Sequence, residues 1–127
     1  MSKEKKITVL VVEPEKKPYV KEIDNTLESL QSEVGGDIQA IYPFEDMVAL
    51  LLDDESKLKG KPLNRALRDE NGKVYDIIAG TFLVVGLADD DFGSLSAEQI
   101  DRFSEFFGTP ELFVLVNGKI VIIPAFE

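Results

Sequence analysis

Residues 74–87 have the sequence VYDIIAGTFLVVGL, a long run in which β-branched and other apolar residues predominate. Val, Ile and Phe fit the pleated surface of a sheet, so this composition favours a β-strand. The pair Asn71-Gly72 precedes the run, and both residues tolerate the positive φ of a tight turn. We therefore predict that residues 74–87 form the central strand of a sheet, entered through this turn.

Residue patterns in the first half of the chain predict four further strands. Residues 7–13 form a β-branched run, and residues 14–18 interrupt it because they begin and end with proline, which lacks a backbone N–H. In residues 19–23 apolar and charged side chains are interleaved, so a second antiparallel strand competes with an early helix start, and we favour the strand. Two more strands are predicted at residues 37–44 and 47–52.

Two helices have recognisable beginnings and ends. Residues 25–34 start with Asn25 as a potential N-cap, contain apolar residues at helical spacing and are followed by a Gly-Gly pair that suits a helix end. Residues 97–107 follow Ser96, which forms a capping-box pattern with Gln99. The aromatic stripe of this second helix is interpreted as core.

The C-terminal segment predicts a β-hairpin. Residues 112–116 and 119–123 are β-rich runs, and the Asn117-Gly118 pair between them is the strongest short-range indication of a hairpin turn. Residues 62–67 are expected to form a single helical turn.

Together these elements predict an α+β fold in a single domain that spans residues 1–127. The expected sheet is antiparallel or mixed, has about five to seven strands and packs against two main helices in the order β-β-α-β-β-β-α-β-β. The predicted core consists of Val9, Val11, Leu27, Leu30, Ile41, Leu50, Leu52, Ile78, Phe82, Val84, Ile100, Phe103, Val114 and Ile122.

The chain contains no Cys and no His. It therefore lacks the thiolate and imidazole groups that bind zinc and that act in common catalytic triads. The segment Asp89-Asp90-Asp91 offers carboxylates for calcium, but it lacks the alternating ligands, central Gly and closing Glu of an EF-hand, so we favour a solvated loop. No metal, cofactor or catalytic residue is expected, and the composition favours a noncatalytic protein.

The charge balance limits the possible partners. The chain has 24 acidic and 14 basic residues and a net charge of −10, so it repels nucleic acid and anionic membranes. No signal peptide and no apolar run near the ~20 residues that cross a bilayer are visible, which predicts a cytoplasmic location. An unidentified protein partner, with basic character, is the natural target for an acidic surface.

Four polar residues are candidates for ligand binding. Asn64 and Arg65 lie between apolar residues, where an amide and a planar guanidinium could bind a carboxylate or phosphate with fixed geometry. Asp76 lies at the start of the long apolar run, where burial would disfavour its charge. Glu13 ends the first strand close to Lys16, and an acid beside cations could orient a substrate.

Each candidate also has a structural interpretation. Asn64 could bridge a backbone turn, while Arg65 pairs with an acidic residue such as Asp69 or Asp76. Asp76 could equally be a hydrogen-bonded residue at a strand edge. Glu13 could belong to a turn with solvated charges, since its surroundings match no phosphate-binding loop.

Several short segments resemble one uncharacterised bacterial family, catalogued as domain of unknown function 3846. The segments are VEP at 12–14, DNTL at 24–27, VGG at 34–36, LNR at 63–65 and YDIIAGTF at 75–82. The resemblance spans roughly residues 7 to 90. Members resemble small proteins of Firmicutes, their phages and mobile elements, which implies an accessory role and supplies no catalytic residues.

Three functional hypotheses follow. The leading one is a noncatalytic interaction protein that binds a protein partner through its acidic surface, since no acid, base and nucleophile set converges in the sequence. The second is an enzyme or small-ligand receptor that uses Asn64, Arg65, Asp76 and Glu13 in one cleft. The third is a DNA mimic, which requires carboxylates in rows near phosphate spacing.

Overall fold

The computed structural model describes residues 5–89 and 91–125. Within this part of the chain the helices are α1 (Leu27–Val34) and α2 (Ala97–Phe106). The strands are β1 (Lys6–Val12), β2 (Tyr19–Asp24), β3 (Ile38–Ile41), β4 (Val48–Asp53), β5 (Leu63–Arg68), β6 (Val74–Ala79), β7 (Phe82–Ala88), β8 (Asp91–Gly93), β9 (Glu111–Val116) and β10 (Lys119–Pro124). The predicted α+β class is confirmed, and the order of elements agrees apart from additional strands between β4 and α2.

Six strands form the central sheet. Its order is β2-β1-β7-β4-β3, and β8 pairs with the C-terminal part of β7. Every pair in this sheet is antiparallel. β5 with β6, and β9 with β10, form two separate antiparallel hairpins. The size of the central sheet therefore lies within the predicted range.

Both faces of the central sheet are buried. Val9 and Val11 of β1 lie on the face that α1 covers, whereas Leu10 and Val12 lie on the face that α2 and the β5–β6 hairpin cover. This division follows from the alternation of side chains along a strand. Two apolar layers therefore hold the elements on either side of one sheet.

The helix ends follow the sequence closely. The N-cap of α1 is Thr26, whose hydroxyl accepts a hydrogen bond from the Ser29 N–H, and the predicted cap Asn25 is one residue too early. Gly35 ends α1 in the left-handed conformation, at φ +80°. The predicted capping box of α2, between Ser96 and Gln99, is confirmed.

The prediction of one strand over residues 74–87 is wrong, because the run forms two strands in different sheets. Gly80 turns the chain between β6 and β7 at φ +76°, a conformation that costs glycine little. Its N–H donates to the Pro62 carbonyl oxygen at 2.7 Å. Only β7 is central, between β1 and β4, while β6 pairs with β5.

The helical turn predicted at residues 62–67 is also wrong, since most of this segment forms β5. Ala66 pairs with Ile77 and Leu67 with Asp76 across the hairpin. Pairing and burial outweigh the weak helical preference of so short a segment. A register shift between Leu63 and Arg65 leaves an irregularity at Asn64, as in a β-bulge.

Most of the predicted core is buried. The buried members are Val9, Val11, Leu30, Leu50, Leu52, Ile78, Phe82, Val84 and Phe103. Ile41 and Ile100 are partly buried against the same core, and Ile122 is half-buried. The prediction is wrong for Leu27, in the exposed first turn of α1, and for Val114, on the solvent side of β9. No helix in the described ranges has both the length and the apolar character to cross a bilayer.

Candidate functional site

Asn64 lies at the irregular position of β5 and is fully buried. Its Nδ2 donates to the Val12 carbonyl oxygen at 2.9 Å and to the Gly80 carbonyl oxygen at 2.8 Å. These acceptors belong to the end of β1 and to the turn between β6 and β7. The side chain therefore joins three segments that are distant in sequence.

Arg65 is only 1% exposed and makes its hydrogen bonds inside the protein. Nε and Nη2 donate to the Phe107 carbonyl oxygen at 3.2 and 3.0 Å. Nη1 donates to Asn64 Oδ1 at 2.8 Å and more weakly to the Asn64 carbonyl oxygen at 3.3 Å. Nη2 also donates to the Lys16 carbonyl oxygen at 2.7 Å.

These contacts give Asn64 and Arg65 a structural role. A guanidinium has five N–H donors, and the five contacts of Arg65 are enough to occupy all of them. Burial lowers the pKa of the Arg65 guanidinium, and the Glu111 carboxylate opposes this shift. The expected partners Asp69 and Asp76 make no hydrogen bond with Arg65 in the described structure; main-chain carbonyls take their place.

Glu111, which the sequence analysis did not single out, completes this cluster. Its carboxylate is buried at the start of β9; Oε1 accepts from the Ala66 N–H at 3.0 Å, and Oε2 accepts from Arg68 Nη2 at 2.8 Å. An isolated acidic residue at the edge of an apolar hairpin was the available indication, because burying a carboxylate requires partners.

A cleft of about 410 Å³ lies beside the cluster, between β5, the end of α2 and the start and end of the C-terminal hairpin. Arg65, Arg68 and Glu111 line its polar side, and Phe106 and Pro124 line its apolar side. The polar groups of the cleft already have partners within the protein. Arg65 donates to Phe107 and Asn64, and Glu111 accepts from Ala66 and Arg68.

Asp76 lies elsewhere, in a smaller depression of about 150 Å³. Its carboxylate is exposed and pairs with Lys57 Nζ at 2.7 Å. Partial desolvation tends to raise the pKa of Asp76, but the hydrogen bonds from Lys57 and from the Ile77 N–H outweigh it and lower the pKa. The contacts match the strand-edge interpretation.

Glu13 lies just after β1 and faces the beginning of β2. It pairs with Lys16 Nζ at 3.7 Å. A hydrogen bond to the Glu13 carboxylate, with smaller effects of burial and of the Glu13 and Glu33 charges, raises the pKa of Tyr19 to about 12. Thus the structure brings Asn64 and Arg65 together, whereas Arg65 and Asp76 line different clefts and none of the five principal clefts among the described residues contains all four predicted site residues.

A second buried charge cluster fixes the end of α1. Lys59 Nζ and Lys61 Nζ bind the buried Asp53 carboxylate at 2.8 and 2.7 Å. These two hydrogen bonds hold the pKa of Asp53 well below its usual range. Both lysines also donate to the Gly35 carbonyl oxygen, where positive charge complements the helix C-terminus.

The solvated loop predicted at residues 89–91 is wrong for Asp91, which begins β8 and whose carboxylate accepts from the Phe92 N–H at 2.8 Å. Asp90 lies outside the described residues. Among residues 5–89 and 91–125, no group of His, Cys, Asp or Glu has an arrangement that could hold a metal ion.

The hairpin of β9 and β10 exposes aliphatic side chains on both faces, and one face contains five of them. Cross-strand pairing places Leu112 opposite Ile123, Val114 opposite Val121, and Val116 opposite Lys119 on this face. The five aliphatic residues are 38–47% exposed. The opposite face starts at the buried Glu111, but Leu115 and Ile120, near the hairpin turn, are 74% and 50% exposed on it. Glu15 lines a shallow depression together with Leu112 and Val114 of the first face. We call the six-residue surface the outer hairpin face.

The structure is an α+β fold with a buried Asn-Arg pair and an apolar hairpin formed by β9 and β10. A family model described as Domain of unknown function (DUF3846) matches residues 7–108, so the chain belongs to this family. No curated protein and no solved structure matches the chain. The Asn-Arg pair lies inside the matched range, and the hairpin lies beyond it.

Proposed function

We propose that the protein is a noncatalytic protein-interaction module. The observation that supports this most strongly is the outer hairpin face, where five aliphatic side chains lie in solvent on an ordered two-stranded hairpin. Contiguous apolar patches on soluble proteins commonly mark interaction sites. A two-stranded sheet is also only marginally stable alone and gains stability from contact with another surface.

The distribution of polar side chains supports a noncatalytic role. Asn64 and Arg65 use their donors to hold the fold, Asp76 pairs with Lys57 in a separate depression, and the Glu13 carboxylate pairs with Lys16. A catalytic site needs an acid, a base or a nucleophile within reach of one reacting atom. The contacts of these four residues are those of structural groups.

Electrostatics suggests the kind of external partner. The net charge of −10 attracts a basic protein, and such attraction weakens as salt screens it. A cytoplasmic location and a role in phage or mobile elements, expected from the sequence and the family resemblance, are part of the proposal. Gene neighbourhood in related genomes tests the link to mobile elements.

The test is a pull-down from a lysate of the source organism at low salt, with an unrelated protein of similar negative charge as control. We expect the wild-type protein to enrich a basic protein that the control does not, and the enrichment to fall as salt is added. Equal recovery by the charged control would contradict the proposal, since only non-specific attraction would remain.

Two alternatives have weaker support. Ligand binding in the cleft beside Arg65 has the 410 Å³ volume in its favour, but the donors there are engaged. A DNA mimic needs rows of unpaired carboxylates, whereas several carboxylates pair with lysines. These pairs include Asp24 with Lys6, Glu33 with Lys21, Asp53 with Lys59 and Asp76 with Lys57.

A further inference from the structure

We infer that a cleft between α2 and the loop after β3 binds an arginine side chain of a basic protein partner. The inference rests on the proposed function, because it assigns the contact with such a partner to one place on the molecule. The cleft has a volume of about 430 Å³. Its lining residues are Phe44, Glu45, Asp46, Arg102, Phe103 and Phe106. We call it the α2 aromatic cleft.

Three phenylalanine rings form the apolar wall of this cleft. Phe106 packs edge-to-face against Phe44, with ring centroids 5.2 Å apart and an interplanar angle of 86°. The Phe103 ring lies 4.9 Å from Phe44, at 54°. Phe106 is 57% exposed, so part of its ring is accessible to solvent. Because the face of an aromatic ring attracts cations, this wall offers an accessible surface for a positively charged group.

Arg102 shows that the cleft accommodates a guanidinium. Its Cζ atom lies 5.0 Å from the centroid of the Phe103 ring, and its Nη2 pairs with the Asp46 carboxylate. A planar guanidinium can lie against a ring and pair with a carboxylate at the same time, whereas an ammonium group is more strongly hydrated. Phe106 and Glu45 offer the same combination of ring and carboxylate to a second guanidinium. An arginine is therefore the side chain whose chemistry the cleft matches.

Charge around the cleft favours a basic occupant even though Arg102 lines it. Residues 44–46 and α2 together contain five acidic residues and one basic residue, a net charge of −4. Arg102 pairs with Asp46. Within the part of the chain that the structure describes, the other four acidic residues are exposed and form no ion pair; they are Glu45, Glu98, Asp101 and Glu105. This excess of negative charge attracts basic partners and repels acidic ones.

Binding of a short peptide to the full chain tests the inference. The probe is a blocked peptide of alternating glycine and arginine, and its lysine counterpart has the same charge. An NMR titration in about 50 mM NaCl measures both affinities. We expect a dissociation constant on the order of 1 mM for the arginine peptide and about threefold weaker binding of the lysine peptide. Equal affinities overturn the inference, because net charge alone then explains binding. No binding of the arginine peptide at ~10 mM also overturns it.

Phe106→Leu removes the ring but keeps an apolar side chain, and we expect it to weaken binding of the arginine peptide about threefold. Tyr75→Leu is the matched control, because Tyr75 is also 57% exposed and lies outside the α2 aromatic cleft. This control should leave the affinity unchanged. Circular dichroism checks that both variants fold. An equal loss of affinity in the two variants overturns the inference.

A charge substitution locates the site, because Phe106 also lines the cleft beside Arg65 whereas Glu45 does not. Glu45→Gln should weaken binding of the arginine peptide about threefold. Glu22→Gln removes the same charge from an exposed position of β2, at the opposite edge of the central sheet from β3, and should change the affinity less. Equal effects of the two substitutions overturn the inference.

The outcomes separate this inference from the proposed function. If Phe106→Leu and Glu45→Gln capture a basic protein in the pull-down as well as the wild type does, the α2 aromatic cleft is not the contact and only this inference fails. If the arginine peptide binds in the cleft but the pull-down enriches no basic protein, the proposed function fails, whereas the assignment of the arginine site stands.

Discussion

Replacing Arg65 by Ala is expected to lower the free energy of unfolding strongly. We expect no external ligand to bind at Arg65, because its donors are used inside the protein. The guanidinium joins β5 to the end of α2, through the Phe107 carbonyl oxygen, and to the turn after β1, through the Lys16 carbonyl oxygen. It also satisfies Asn64 Oδ1. Alanine removes these links at once, together with the weaker one to the Asn64 carbonyl oxygen, and leaves four acceptors without this donor.

The magnitude follows from those acceptors. A buried polar group that loses its partner costs ~1 kcal/mol or more. The Phe107 carbonyl oxygen and Asn64 Oδ1 are buried, whereas the partly buried Lys16 contact and the longer Asn64 carbonyl contact contribute less, so the four together cost about 3 kcal/mol. The cavity left by the side chain adds to this loss, whereas relief from burying a charge offsets part of it. We expect the free energy of unfolding to fall by about 3 kcal/mol. Arg65→Lys keeps the charge but not the planar fork, and should cost about 2 kcal/mol.

Urea denaturation followed by circular dichroism measures these changes. Arg68→Ala is the comparison variant, because the Arg68 side chain is 42% exposed and makes a single described ion pair, to Glu111. It should cost about 1 kcal/mol. A thermal-shift screen with nucleotides and carboxylates should show no stabilisation of the wild type. A loss below about 0.5 kcal/mol for Arg65→Ala, together with a ligand response, would refute the structural role and favour anion binding.

Two further predictions concern titrating groups. Asp53→Asn should lower the free energy of unfolding at about pH 7, because the ionised Asp53 carboxylate is stabilised by Lys59 and Lys61, which lower its pKa. The difference from wild type should shrink as pH falls from about 4 towards 2, where the wild-type carboxylate starts to be protonated. Denaturation at several pH values measures this, and a difference that stays constant contradicts it. Glu13→Gln should shift the pKa of Tyr19 from about 12 towards 10, in an absorbance titration assigned with Tyr19→Phe, and an unchanged pKa contradicts the proposed hydrogen bond.

The elements that sequence predicts well are those with local determinants. The α2 capping box involves residues three apart, and the turn at Asn117-Gly118 needs positive φ at adjacent residues, which the structure has. Patterns of this kind depend on neighbouring residues alone. The capping box and the hairpin turn could therefore be predicted without knowledge of the tertiary contacts.

The division of residues 74–87 could not be predicted in the same way. The apolar run continues through Gly80, and a glycine within such a run is compatible with a bulge as well as a turn. What separates β6 from β7 is the hydrogen bond of the Gly80 N–H to Pro62 and the pairing of β6 with β5. Both are tertiary contacts, and the second also makes residues 62–67 a strand.

The hydrogen-bond partners of Asn64, Arg65 and Glu111 could not be predicted either, because they too depend on tertiary contacts. The sequence identifies Asn64 and Arg65 as unusual because polar residues stand between apolar ones, but it suggests carboxylate partners for the arginine. The observed partners are main-chain carbonyl oxygens, which every residue has and which leave no trace in composition. Glu111 was missed because its partners, Ala66 and Arg68, are more than forty residues away.

The buried cluster and the outer hairpin face are physically connected. Arg65 holds the Phe107 carbonyl oxygen, from which the chain passes through the buried Pro110 to Glu111. Glu111 then attaches β9 to β5, and the Ala125 N–H donates to the Pro110 carbonyl oxygen at 2.7 Å, which fixes the end of β10. Both ends of the hairpin are thus anchored beside the cluster. The contacts of the buried arginine therefore help to hold the hairpin, and the aliphatic residues that it exposes, in a fixed position.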